Sequence, residues 1–193
     1  MKRCKVCRQP FKPRPPRALV CSEDCAGAFA VSKRLKEERR AEKAAQALER
    51  KDTKARKERL KTRRAWEREA QASFNAFIRA RDADKPCICC GQPLSAGEVG
   101  GHFDAGHYRS TGSAPHLRFV EDNCHGQRKR CNRWGAGRAV DYRLGLIARI
   151  GLARVEALEA DQAPRKYTTD ELRAIRDEYR VKARALKREA ANV

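Results

Sequence analysis

The residues able to do metal or acid–base chemistry are concentrated in one stretch, Gly100 to Trp134, which reads GGHFDAGHYRSTGSAPHLRFVEDNCHGQRKRCNRW. It contains all four histidines of the chain and two of its nine cysteines, and Cys87 and Cys90 lie shortly before it. Cysteine and histidine bind transition metals, and a neutral imidazole is a base at physiological pH. The stretch therefore predicts a small metal-containing site that the rest of the chain positions.

The charge of the chain indicates its class of partner. Lys and Arg number 45 against 25 Asp and Glu, so the net charge is +20. A chain this basic is typical of a protein with a polyanionic partner, with nucleic acid favoured over a membrane surface. The N-terminal run MKRCKVCRQP has no apolar signal region, and no apolar run is long enough to span a membrane. We therefore expect a DNA-binding protein located in the cytoplasm.

The cysteines come as close pairs and their number is odd, which favours reduced zinc ligands over disulfides. The spacings Cys4-x2-Cys7 and Cys21-x3-Cys25 predict a zinc knuckle over residues 1–27, because two tight turns bring four thiolates to one ion. Two roles remain open for this module: a cap that starts the next helix, or a DNA- or partner-binding knuckle.

The segment 28–85 contains neither Gly nor Pro and is rich in Ala, Glu, Lys and Arg, which predicts a long basic helix. Its apolar residues form no sustained heptad, so a coiled coil is not expected. The segment is either a solvated helix or partly disordered linker, or a basic arm that lies along phosphates. From Trp66 onward an apolar face is predicted to dock on the core.

Helices are also predicted over 140–193. Three apolar stripes would pack on the core or on a second copy of the chain, and Thr168-x-x-Glu171 is a capping box for the last helix. The stripes consist of Val140, Leu144 and Ile147; of Leu152, Val155 and Leu158; and of Leu172, Ile175, Tyr179 and Leu186.

The segment 86–139 predicts the chemical core. We expect a strand over 103–108, a loop over 109–115, a second strand over 117–120, and a helix from about Asp122 to Gly135, with Asp122 or Asn123 as its N-cap. Strand, loop, strand and helix make the ββα-metal arrangement. The predicted fold is thus mainly α, with small zinc-bound β elements.

The runs DAGHYRS, HLRFVEDNCHGQ, CNRW and YRLGLIARIG resemble the phage NinG (Rap) recombination proteins, which belong to the HNH-like nuclease group. The resemblance covers most of the chain. It implies a phage or prophage endonuclease in a bacterial host, which hydrolyses phosphodiesters in branched DNA such as D-loops and Holliday junctions. Recombination proteins and a homodimer are further partners that it leaves open.

The resemblance also implies roles for residues of the core. His107 is expected to be the general base, Asn123 to fix the loop and orient that base, and Asn132 to complete a His-Asn-Asn triad. Asn132, Asp104 and His125 are the candidate ligands of a catalytic Mg²⁺ or Mn²⁺. Asn123 as a helix cap and Asp104 as a turn residue are the alternatives.

Basic residues of the core are expected to contact DNA. Arg109 and Arg118 are candidate phosphate clamps, and the further candidates are Arg128, Lys129, Arg130 and Arg133. His102 and His116 match no motif and are expected to be surface residues.

Two motifs depart from the family pattern. The family carries Cys-x-x-Cys-Asn where this chain has Arg128 followed by Cys131 and Asn132, so a structural zinc would be left with Cys87, Cys90 and Cys131. Cys124 lies four residues before Arg128 and could substitute if both were helical, whereas Cys89 is expected to be a bystander. Residues 136–138, Ala-Gly-Arg, replace the family's Ser-Gly-Asn.

These departures leave two functions open. One is a metal-dependent endonuclease, and the other is a non-catalytic zinc protein that binds branched DNA. Cleavage that depends on a divalent metal would separate them.

Overall fold

The structure is a computed structural model that describes residues 1–94, 103–135 and 138–192. It is mainly helical, with two small antiparallel sheets. The chain divides into two compact units, Met1–Leu60 and Lys61–Val193. Among the described residues no helix has both the length and the apolar character needed to cross a bilayer.

The first unit begins with a two-stranded ribbon and continues as one long helix. Strand β1, Lys2–Arg3, pairs with β2, Pro10–Phe11, and helix α1 covers Glu23–Arg59. The hydroxyl of Ser22 caps α1 by accepting a hydrogen bond from the backbone N–H of Cys25. No residue of α1 is buried, so this helix is solvated on every side within its unit.

The helical segment predicted over 28–85 is two helices rather than one. The backbone N–H of Leu60 closes the last turn of α1, and Thr62 then caps helix α2, Arg63–Arg81, by accepting from the backbone N–H of Ala65. A side-chain cap satisfies a free N–H group of a new first turn, which stabilises a helix start at this position.

Helix α2 packs against the last helix, α5, Thr169–Ala191, and forms the main core. The apolar face predicted from Trp66 onward is buried, and it packs against Leu172 and Tyr179 of α5. The predicted capping box of Thr168 and Glu171 is present with both of its hydrogen bonds. Both predictions for these helices are therefore confirmed.

The small sheet of the second unit consists of β3, Asp104–His107, and β4, Cys124–Gln127, which run antiparallel. Asp104 lies opposite Gln127, and His107 lies opposite Cys124. The strand predicted over 117–120 is wrong, since short 3-10 turns occupy Pro115–Leu117 and Glu121–Asn123.

The helix predicted from Asp122 is also wrong, because the chain forms β4 there and only a π-helical turn at Arg130–Trp134. All four residues of β4 are buried although His125 and Gln127 are polar, so the burial of this short strand does not follow from its sequence pattern.

Helices α3, Ala139–Ile150, and α4, Leu152–Ala160, form a second core with the segment around Ile88. The predicted stripe is wrong for Val140 and Leu144, which are 76% and 62% exposed, whereas Tyr142 and Leu146 are buried. The face with Tyr142 and Leu146 is buried because the backbone of α3 packs closely against the backbone at Ile88. A Cβ on Gly145 would lie 1.8 Å from the carbonyl oxygen of Ile88, so this face of α3 fits only with glycine there.

Candidate functional site

The four cysteines of the first unit come together as predicted. The sulfur atoms of Cys4, Cys7, Cys21 and Cys25 all lie within 4.8 Å of one another, and the Cys7–Cys21 and Cys21–Cys25 distances are 3.5 and 3.7 Å. Zn–S bonds of about 2.3 Å in a tetrahedron place sulfur atoms about 3.8 Å apart. The donor set therefore fits a structural zinc ion.

A second cluster contains Cys87, Cys90 and Cys131, whose sulfur atoms also lie within 4.8 Å of one another. A tight turn presents the first two, with Gly91 at a φ of 67° donating its N–H to the carbonyl of Cys87 over 3.0 Å. A hydrogen bond with Cys89 and the backbone N–H of Arg128 lower the pKa of Cys87 to about 4, so its thiolate is available to a metal.

Cys124 does not complete the second cluster. It lies on strand β4 rather than on a helix, so the four-residue spacing to Arg128 does not place the two on one face. Its thiol is buried in the α2–α5 core, 3.8 Å from Nδ1 of His107. Cys89 lies outside the cluster and accepts a hydrogen bond from the amide of Gln127 at 2.8 Å.

Arg128 occupies the edge of this three-cysteine cluster. Its backbone N–H donates to the sulfur of Cys87 over 3.3 Å, so the position expected to supply a fourth thiolate does lie beside the other three. Three thiolates fit a zinc ion with one remaining coordination position.

Asn123 ties together the loop between β3 and β4. Its side-chain oxygen accepts from the backbone N–H of Arg109 at 2.8 Å, and its amide nitrogen donates to the carbonyls of Arg109 and Leu117 at 3.0 and 3.1 Å. The side chain is fully buried. Asn123 precedes a strand, so the alternative that it caps a helix is wrong.

The imidazole of His107 faces helix α2. Its Nε2 lies 3.0 Å from the carbonyl oxygen of Arg118, and its ring centroid lies 6.1 Å from that of Phe74. Burial lowers the pKa of His107 below its ordinary value, so the imidazole is neutral at physiological pH.

Asp104 and Asn132 meet between β3 and the π-helical turn. The amide nitrogen of Asn132 donates to the Asp104 carboxylate over 3.0 Å, and the guanidinium of Arg133 donates to the same carboxylate at 3.0 and 3.2 Å. Partial burial raises the pKa of Asp104, but the hydrogen bonds from Arg133 and Asn132 outweigh it and hold that pKa below its ordinary value. Asp104 and His107 are three residues apart on one strand, so their side chains leave opposite faces.

His125 belongs to a buried charge cluster centred on Asp82, which the sequence did not indicate. Asp82 is fully buried; its carboxylate accepts from Arg81, from Lys85 and from the backbone N–H of Gly126 at 2.8–3.0 Å. Nδ1 of His125 lies 3.7 Å from this carboxylate, and its Nε2 lies 3.1 Å from the carbonyl of Asp122. Both ring nitrogens of His125 thus lie near polar groups of the core, and its binding of metal or phosphate stays a prediction.

Comparison with known proteins places the chain in a family. The family model described as "Bacteriophage Lambda NinG protein" matches residues 1–189. The chain belongs to the NinG family. It is 42% identical to Protein ninG of Salmonella phage P22, covering 96% of this chain and 94% of the relative. It is 40% identical to Protein ninG of Escherichia phage lambda, covering 96% and 93%. No solved structure matched the chain.

Arg109 and Arg118, the two candidate phosphate clamps of this NinG-family chain, form contacts within the protein. Arg109 donates to the carbonyls of Leu158 and Asp161 at 3.0 and 2.7 Å, because the last turn of α4 leaves these acceptors without helical partners. Arg118 pairs with Glu67 at 3.3 Å.

Of the two histidines outside the motifs, the structure describes His116, which differs from expectation. His116 is buried rather than on the surface, with Nε2 at 2.8 Å from the carbonyl of Asp161. His102 lies outside the described residues.

The remaining basic candidates lie around the π-helical turn. Arg130 is exposed, and Lys129 is buried. An open depression lies beside the second cysteine cluster, and its lining residues are Cys90, Gln92, Arg128, Arg130, Cys131, Trp134, Gly135 and Arg138. Sequence reasoning named Arg128 and Arg130 as DNA contacts but missed Arg138 and Trp134, although an aromatic residue among basic ones is a signal of nucleic-acid binding.

Proposed function

We propose that this NinG-family protein is a metal-dependent endonuclease that cuts branched DNA. The observation that carries the proposal is the contact of 3.0 Å between Asp104 and Asn132, which joins the motifs DAGHYRS and CNRW in space. Carboxylate and amide oxygens are the ligands that Mg²⁺ and related hard cations prefer. These two side chains would hold the ion.

The residues around this pair suit a phosphodiester substrate. When bound, a divalent cation would stabilise the charge that develops on the phosphate during hydrolysis. Arg133 is 58% exposed and neutralises Asp104 in the free protein. A phosphate oxygen would accept the same guanidinium hydrogen bonds. Arg133 would then bind DNA once the cation neutralises Asp104.

His107 is the proposed general base. It is the neutral imidazole of the DAGHYRS motif, and it would take a proton from the attacking water. Because the side chains of His107 and Asp104 leave opposite faces of β3, this role requires the backbone at the end of β3 to rearrange so that the ring leaves the carbonyl of Arg118. Catalytic hydrogen bonds of free enzymes often form only in the substrate complex, so the proposal includes this rearrangement.

A second function, non-catalytic binding of branched DNA, is favoured by one observation. His107 faces α2, whereas Asp104 faces Asn132 on the opposite side of β3. A protein that kept this arrangement on DNA would have no base beside its metal ligands.

The first experiment is cleavage of a labelled four-way junction, a D-loop and a linear duplex, with Mg²⁺, Mn²⁺ or no divalent cation, and with binding measured on each substrate. We expect the protein to cut the branched substrates only with a cation. Asp104→Asn should abolish cutting and preserve binding. Asp84→Asn, which removes an exposed carboxylate outside the site, should cut as the wild type does.

His107→Ala tests the base in the same assay. We expect cleavage to slow about 100-fold or more while binding persists, which is the ordinary contribution of a general base. Tight binding without cutting by the wild type in either metal would overturn the enzyme proposal and favour the second function.

A further inference from the structure

Trp134 ends the π-helical turn with its indole in solvent. Its side chain is 79% exposed, whereas Trp66, the other tryptophan of the chain, is 2% exposed in the core. Large aromatic side chains gain free energy when they leave water, so one held in solvent indicates a surface that a ligand covers.

The surroundings of Trp134 define the chemistry of that ligand. Arg128, Arg130 and Arg138 line the same depression, and none of its described lining residues carries a carboxylate. Asp141 lies outside the lining and orients Arg138, whose Nε donates to its carboxylate over 2.7 Å. An exposed aromatic side chain among three arginines is complementary to a planar group attached to anions.

We propose that Trp134 and these three arginines bind one unpaired nucleotide, with the base stacked on the indole and the adjoining phosphates on the arginines. Stacking of a base on an aromatic side chain contributes about 1–3 kcal/mol. A paired base is already covered on both faces by its neighbours, so the site selects unpaired nucleotides. This inference rests on the proposed function, since it requires DNA as the ligand.

The position of the site explains how branched DNA would be recognised. Trp134 and Asn132 belong to the same helical turn, and Asn132 contacts Asp104. Side chains two residues apart on a helical turn point to different sides, so a base held on Trp134 would lie within one turn of the Asp104–Asn132 pair without touching it. The site would direct cleavage to strands next to a branch.

Intrinsic fluorescence tests the stacking directly. The Trp66→Phe variant leaves Trp134 as the single tryptophan, and it is titrated with a dT oligonucleotide of about 12 residues and with an abasic oligonucleotide of the same length, without added divalent cation. We expect strong quenching by the dT oligonucleotide and little by the abasic one. If Trp66→Phe does not fold, the difference between wild type and Trp134→Phe gives the same signal.

Affinity provides the matched measurement. Trp134→Ala should weaken binding of the dT oligonucleotide about 5- to 150-fold, while binding of the abasic oligonucleotide stays unchanged. Trp134→Phe should recover part of the loss. Equal loss for both oligonucleotides, or binding of dT without quenching, would overturn the stacking site.

The outcomes separate this inference from the proposed function. Quenching requires neither cleavage nor a catalytic cation, so an inactive protein could still support the stacking site. Failure to bind either oligonucleotide or the four-way junction would instead overturn the assignment of DNA as the ligand, and would leave Trp134 to a partner protein.

Discussion

At the scale of single residues, the buried carboxylate of Asp82 is the centre of a cluster of charged and polar groups in the second unit. Burial raises the pKa of a carboxyl group, yet the nearby imidazole of His125 and the hydrogen bonds from Arg81 hold the pKa of Asp82 far below its ordinary value. Arg149 lies 4.0 Å from the same carboxylate. The charge therefore links the end of α2, strand β4 and helix α3.

Asp82→Asn should destabilise the protein by about 3 kcal/mol or more, because it leaves the buried cationic groups without their counter-charge. Urea denaturation followed by circular dichroism measures the loss. Asp84→Asn, at an exposed position two residues away, should change the free energy of unfolding by less than about 0.5 kcal/mol. Similar values for the two variants would contradict the role of Asp82.

At the scale of elements, the turn at Cys87–Gly91 and the π-helical turn assemble the second cysteine cluster. Neither element contains a full set of metal ligands, and the N–H of Arg128 joins them by its bond to Cys87. Arg128, which precedes the π-helical turn, therefore occupies the position from which a fourth thiolate ligand would come.

Arg128→Cys should convert the three-thiolate cluster into a four-thiolate site. With Co²⁺ in place of zinc at both clusters, the Co–S bonds increase from seven to eight, so the measured sulfur-to-metal charge-transfer absorption should rise by about a seventh. Arg130→Cys, on the neighbouring exposed position, is the control and should leave the spectrum unchanged. An unchanged spectrum in Arg128→Cys would show that another ligand, such as Cys89, already fills the fourth position.

At the scale of the whole molecule, the net charge of +20 predicts how the protein would bind the proposed DNA substrate. Helix α1 is exposed on all sides and carries many of the cations, among them Arg50, Lys54 and Lys57. Phosphate contacts from such a helix depend on salt, since each releases a counterion from the DNA.

The affinity for a four-way junction should fall steeply as salt rises, with each phosphate contact adding about 0.9 to the slope of log affinity against log salt. Replacing Arg50, Lys54 and Lys57 by Gln should lower that slope by up to about 2.7 if α1 lies along phosphates. The matched control exchanges the two basic residue types at the same three positions (R50K, K54R and K57R), which keeps the charge, and it should bind as the wild type does. An unchanged slope in the Gln variant would identify α1 as a solvated linker.

The local features of the chain were predictable because residues close in sequence specify them. The pairs Cys4-x2-Cys7 and Cys21-x3-Cys25 form a cluster with the predicted ligands. The apolar face of α2 and the capping box at Thr168 are likewise found where their periodicity and spacing predict them.

The features that the sequence did not predict depend on contacts between residues far apart in the chain. Strand β4 is only four residues long and buries its two polar residues, so only its pairing with β3 reveals it. That pairing places Cys124 in the core and away from the second cluster. The carbonyls at the end of α4 similarly engage Arg109, whose partners lie about 50 residues away in the chain.

The sequence by itself thus determined the family, the basic character, the first cysteine cluster and most of the helices, because these depend on composition and short spacings. Only the tertiary structure decided which polar residues share a site. It separated His107 from Asp104 on opposite faces of β3, joined Asp104 to Asn132, and left Trp134 in solvent. The physical reason is that a strand alternates its side chains between faces, while the elements packed on each face come from distant parts of the chain.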